Sequence, residues 1–117
     1  MDGKILTDIK KLLGIPDDYE HFDVDILLHI NSFLRVLNQV GVGVNSFTAS
    51  KDSTWDEFLD GDTRLEEAKT FVYIRTRLVF DPPTSSFVAD SLSKTADELL
   101  WRLNVEVDPG SEKLAEA

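Results

Sequence analysis

The stretch Asp25-Ile26-Leu27-Leu28-His29-Ile30-Asn31-Ser32-Phe33-Leu34-Arg35-Val36-Leu37-Asn38-Gln39-Val40-Gly41 decides the fold. Ile26, Leu27, Ile30, Phe33, Leu34, Leu37 and Val40 recur at helical spacing and make a wide apolar stripe, while Asp25, Asn31, Arg35 and Asn38 fall largely off it. Such a pattern is an amphipathic helix with one face committed to a core. Asp23 and Asp25 suit the positive end of its dipole, and Gly41 is placed to end it.

Upstream, Ile5, Ile9, Leu12 and Leu13 predict a short helix over about residues 2–13, stopped by Gly14 and Pro16. Asp17-Asp18-Tyr19-Glu20-His21-Phe22-Asp23 is an acidic connector between the two. Downstream, the helical period disappears from Val42 to Ser53, where Gly43, Asn45, Ser46, Ser50 and Ser53 surround Val44, Phe47 and Ala49. This predicts a long loop, with room for a short strand or hairpin. Thr54-Trp55-Asp56-Glu57 then fits a capping box, in which hydroxyl and carboxylate satisfy free backbone N–H groups, so Trp55 to Asp60 is one or two helical turns closed by Gly61.

A second box, Thr63-Arg64-Leu65-Glu66, opens a helix whose Leu65, Ala68, Phe71, Val72, Ile74, Leu78 and Val79 face inward until Asp81-Pro82-Pro83 breaks it. The last helix begins near Ser85 or Ser86. It carries Val88, Leu92, Thr95, Ala96, Leu99, Leu100 and Leu103 on its buried side, with Trp101 flanking them. After Asn104 the pattern fades. The expected fold is therefore all-α, a small bundle of four to five helices with one long loop between the second and third. Residues 1–104 form the domain and residues 105–117 a flexible or extended tail.

With 117 residues the chain has enough for one modest core and too little for two domains. No apolar run approaches the ~20 residues that span a bilayer, and Met1-Asp2-Gly3-Lys4 lacks the features of a signal peptide, so a cytoplasm-like compartment and no membrane partner are expected. Absence of cysteine removes disulfides, thiolate nucleophiles and thiolate metal sites. A net charge of -10 repels a nucleic-acid backbone, which disfavours conventional DNA recognition. It suits either a surface past which DNA slides or a protein that imitates DNA.

Few residues are available for catalysis. His21 lies in the acidic connector and His29 beside the stripe of the long helix, and neither has an obvious nucleophile for a partner. Asp56, Asp60, Gly61, Asp62 and Glu67 fall at about positions 1, 5, 6, 7 and 12 of a calcium-binding EF-hand loop, but Phe58 stands at position 3, where an oxygen ligand is needed. Helix capping accounts for the same acids. No catalytic residue, metal ligand or cofactor is expected. Among the aromatics, which read mostly as core, Phe47 stands alone on the polar loop and must either tuck into its own domain or dock on a neighbour.

Five strings then resemble a known family. Asp25-Ile26-Leu27-Leu28-His29-Ile30-Asn31-Ser32, Val36-Leu37-Asn38-Gln39-Val40-Gly41-Val42-Gly43 and Trp55 in its Thr-Trp-Asp-Glu-Phe-Leu run resemble the first half of head-tail connector proteins of long-tailed bacteriophages. Arg77-Leu78-Val79-Phe80-Asp81-Pro82-Pro83-Thr84-Ser85-Ser86-Phe87 and Glu98-Leu99-Leu100-Trp101-Arg102-Leu103-Asn104 are similar to the family's second half. The resemblance runs from about Leu6 to Asn104 and includes no catalytic signature. It implies a structural virion subunit at the head-tail junction that joins about a dozen copies into a homo-oligomeric ring below the portal protein. The ring would complete the DNA-filled head and offer its other face to a stopper or tail-completion protein. DNA would pass through the channel without specific binding, kept from adhering by an acidic lining.

Loops carry variable interactions on a helical scaffold, so contacts are expected at Val44, Phe47 and Thr48 and, in the tail, at Val105 and Val107. Two other classes compete with the connector. An acidic DNA-mimic or other small phage inhibitor would spread its carboxylates along one continuous face, whereas a small metal-dependent enzyme would bind calcium or zinc.

Overall fold

A computed structural model describes residues 3–107. It contains five α-helices and, among the described residues, no strand: α1 (Ile5–Leu13), α2 (Asp23–Gln39), α3 (Trp55–Leu59), α4 (Glu67–Phe80) and α5 (Ser86–Val107). A single 3-10 turn, Thr63–Leu65, precedes α4. The bundle is all-α, as the periodicity predicts. In place of the strand allowed for in the long loop there is one isolated antiparallel bridge, between Lys4 and Thr54.

Local chemistry sets most helix ends. Gly14 adopts φ 82°, and its N–H caps the carbonyls of Lys10 and Lys11 to end α1. Gly41 takes φ 90° just beyond α2, where the N–H groups of Gly41 and Val42 return to the carbonyls of Asn38 and Leu37. At α3 the capping box is complete: Glu57 N–H donates to Thr54 Oγ1 at 3.1 Å, and Thr54 N–H to Glu57 Oε1 at 2.9 Å. The second expected box does not form. Asp62, one residue earlier than Thr63, accepts from Arg64 N–H and caps the 3-10 turn, so α4 proper starts only at Glu67. A carboxylate that is also chelated by the Arg64 side chain outcompetes a hydroxyl for that place.

Helix α4 is the central element. It packs against α2 and α5, and less extensively against α1. Phe22 meets Phe80 at 5.3 Å and Phe33 meets Phe71 at 6.5 Å between ring centroids, so α2 and α4 run antiparallel. The Arg75–Asp97 ion pair and the 3.7 Å approach of Arg64 to Glu106 show that α4 and the segment before it run antiparallel to α5. Helices α2 and α5 are therefore parallel, and they meet at their C-terminal ends, where Asn104 Nδ2 donates to Val40 O at 3.2 Å.

The core holds Ile5, Ile9, Ile26, Ile30, Leu34, Leu37, Phe58, Phe71 and Val72, each contributing about 1.5–3 kcal/mol by burial. Several expected core positions are on the surface instead. Leu12, Val79 and Val88 are exposed, as is Thr95, and Phe87 is 79% exposed. Val79, Phe87 and Val88 sit at the tip of the α4–α5 hairpin, where apolar spacing persists but no further element packs. Helix α5 also continues through Val107, three residues past the expected end, so Val105 and Val107 are helical. The rest of the expected tail, residues 108–117, lies outside the described residues.

Candidate functional site

The loop between α2 and α3 follows a course set by two asparagines on the outward side of α2. Asn31 Oδ1 accepts from Ala49 N–H at 2.7 Å and its Nδ2 donates to Ala49 O at 3.2 Å. One turn pair along, Asn38 Nδ2 donates to Val42 O and Val44 O, each at 3.0 Å, while its Oδ1 accepts from Ser46 N–H. An amide side chain offers both a donor and an acceptor in one plane, so each asparagine substitutes for a strand partner. The sequence pattern marks these residues only as polar and off the stripe. Asn31→Ala should cost about 1–3 kcal/mol, because Ala49 is buried and would lose the partners of both its backbone groups. Amide hydrogen exchange checks this: the Ala49 N–H should exchange at least about tenfold faster.

Beneath the loop, Val44 N–H donates to Phe58 O at 2.7 Å, and the Phe47 ring packs on Phe58 at 5.5 Å. Of the two courses open to Phe47, the domain takes the first: the side chain is half-buried against its own core. Val44 and Thr48 remain exposed beside it. At the chain's other end Val105 is exposed and Val107 half-buried. The expected contact residues fall on three concave surfaces. Val44 and Val107 come together with Gly41 and Leu59 at the C-terminal ends of α2 and α5. Phe47 and Thr48 line a groove with Leu28 and Arg35 of α2. Val105 shares a third concavity with Trp101.

Two buried polar pairs hold the scaffold under these surfaces, and neither follows from sequence spacing. Lys10 is 1% exposed; its ammonium lies 2.8 Å from Asp23 Oδ1 and donates to Asp17 O and Tyr19 O at 2.9 and 2.8 Å. Two hydrogen bonds and one ion pair thereby hold the ammonium between α2 and the acidic connector. The indole of Trp55 donates to Asp8 Oδ2 at 3.0 Å, tying α3 to α1.

The acids that superficially match an EF-hand loop are engaged locally. Asp56 and Glu57 lie in the first turn of α3, Asp60 is its left-handed C-cap, and Asp62 chelates Arg64. The Arg64 side chain, and then its backbone N–H, hold the Asp62 carboxyl below its ordinary value of 3.8. Among the described residues, no group of three or more histidines, cysteines or acids is placed to hold a metal ion. His21 is exposed and lies edge-on to Phe22 at 4.8 Å, and His29 is half-buried on α2. No described helix is long and apolar enough to cross a membrane.

Sequence reasoning missed the most exposed apolar side chains. Val24 (80%) and Leu28 (66%) stand on the outer face of α2, and Phe87 (79%) and Trp101 (66%) on that of α5. Their signal was present in the heptad-like spacing of both helices, hidden because the inward stripes use the same residue types. In comparisons with known proteins, residues 5–110 match the family described as phage connector protein. No curated protein and no solved structure matches.

Proposed function

The chain belongs to the phage connector protein family, and from that premise we propose that it is a structural head-tail connector subunit that forms a ring beneath the portal and completes the DNA-filled head. The observation that carries this reading is the extent of the family match, from the first residue of α1 to beyond the last turn of α5. A role in assembly rather than catalysis is also what the chain's polar groups suit: its asparagines brace a loop and its buried ion pair braces a scaffold.

In this reading one face of the ring meets the portal and the other meets a stopper or tail-completion protein. The concavity holding Val44 and Val107, together with the exposed Thr48 and Val105, supplies contacts, and Phe47 supports the loop from beneath. DNA passes through the centre, and the net charge of -10 keeps its phosphates from adhering to the wall.

Electron microscopy of the protein mixed with its portal tests the proposal. A ring of added density at the portal base is expected, and a portal left bare at saturating protein would sink the connector assignment. A Val44→Asp chain should remain folded, since that side chain is exposed, yet occupy the head-tail junction less well than the unaltered protein.

A further inference from the structure

We propose that copies of this chain associate head to tail through the outward faces of α2 and α5, with α2 of one copy lying parallel to α5 of the next. This rests on the reading of the chain as a ring-forming subunit and names the surfaces that build the ring.

On α2, Val24, Leu28, Asn31, Arg35 and Asn38 follow one another at intervals of four, three, four and three residues. At about 100° per residue Val24, Leu28 and Arg35 fall within about 40° of one another, well away from the buried Ile26, Ile30, Leu34 and Leu37, while Asn31 and Asn38 lie at the edge of that face beneath the loop they brace. On α5, Phe87, Ser91, Lys94, Glu98 and Trp101 repeat the same intervals, opposite the buried Ala96 and Leu103. Two parallel helices can meet along the part of the α2 face that the loop leaves open.

The two faces are chemically complementary in one register. Set Val24 of one copy against Phe87 of the next, and Leu28 completes an apolar contact at that end. Arg35 then falls opposite Glu98, because Val24 and Arg35 are separated by the same eleven residues as Phe87 and Glu98. No like charges meet in this register, Lys94 falling beside Asn31, whose amide stays on Ala49. Trp101 comes to a groove of about 300 Å³ between α2 and the braced loop. One antiparallel register, with Leu28 on Trp101, brings Arg35 onto Lys94. Arg35 makes no ion pair among the described residues, although the chain is strongly acidic. Glu98 pairs only with Arg102 of its own exposed helix face, which leaves a carboxylate oxygen for a neighbour.

Parallel pairing also agrees with the geometry of a single copy. Because α2 and α5 already run parallel with α4 packed against both, a rotation about an axis along the helices brings α5 of the next copy against α2 without reversing it. Such a contact uses two different surfaces, so every copy retains one free face until the ring closes.

The chain has no cysteine, which makes cross-linking unambiguous. A Val24→Cys/Phe87→Cys chain, oxidised at high concentration, should give a ladder of covalent dimers, trimers and larger species, and its absence overturns the contact. On the portal, Arg35→Glu and Glu98→Arg should each lower ring occupancy about tenfold or more, and the R35E/E98R chain should recover to within about twofold. Single variants without effect, or a double variant without recovery, also overturn it. A ladder from a chain that never binds the portal would retain the contact and remove the connector assignment; portal rings without a ladder would do the reverse.

Discussion

Lys10→Ala should destabilise the fold by about 3–5 kcal/mol, a large share of the stability of a domain this size. Its ammonium is enclosed, with Asp23 only 5% exposed beside it. Removal leaves the Asp23 carboxylate buried with only the more distant Lys51, 3.9 Å from its other oxygen, to offset it. It also strips the donor from two backbone carbonyls, Asp17 O and Tyr19 O, that fix the connector between α1 and α2. The cost is therefore that of a stranded charge and two orphaned acceptors, not merely that of a lost contact. Urea unfolding measures it, and a Lys10→Met/Asp23→Leu chain distinguishes the mechanism. Replacing both charges with apolar groups should recover much of the loss, since a buried pair stabilises little relative to a packed apolar substitute. A single variant as stable as the unaltered chain would mean that Lys10 reaches solvent.

Gly43→Ala should cost about 2–5 kcal/mol, from left-handed backbone strain and overpacking together. Gly43 sits at φ 82°, and a Cβ there would lie 2.3 to 2.7 Å from three atoms of the Phe58 ring. That ring is fully buried and already packed on Phe47, so it has little room to give. Gly14 supplies the control, having the same φ but nothing within 4 Å of its would-be Cβ. Gly14→Ala should thus incur only the backbone strain, about 1–2 kcal/mol. Equal thermal shifts for the two variants would rule out the clash. A larger shift at Gly43 would locate the loop's rigidity in the Gly43–Phe58 approach.

These positions show where legibility in the sequence stops. The α2 stripe, the Thr54–Glu57 box and the Asp81-Pro82-Pro83 break act through neighbours within one or two turns, so the elements they set are found where the residues place them. The register before α4 was harder to read, because Asp62 and Thr63 compete for one cap and the outcome depends on where Arg64 folds back. Lys10 follows the pattern of a surface lysine beside Lys11, and only the α1–α2 packing encloses it. Asn31 and Asn38 likewise appear as solvent-facing until a loop is laid across them. Of the candidate contact residues, Val44, Thr48 and Val105 are exposed as their loop and terminal positions suggest, whereas Phe47 turned inward.

The sequence by itself determined an all-α bundle of four to five helices, their approximate ends, an irregular span in the middle and a chain without cysteine chemistry. These follow from periodicity and backbone preference, which are local. Only the tertiary structure decided which apolar residues the core would leave over. Val24, Leu28, Phe87 and Trp101 are as hydrophobic as their buried counterparts, but each helix can turn only one face to α4. The parallel course of α2 and α5 likewise arises from packing between segments distant in the chain.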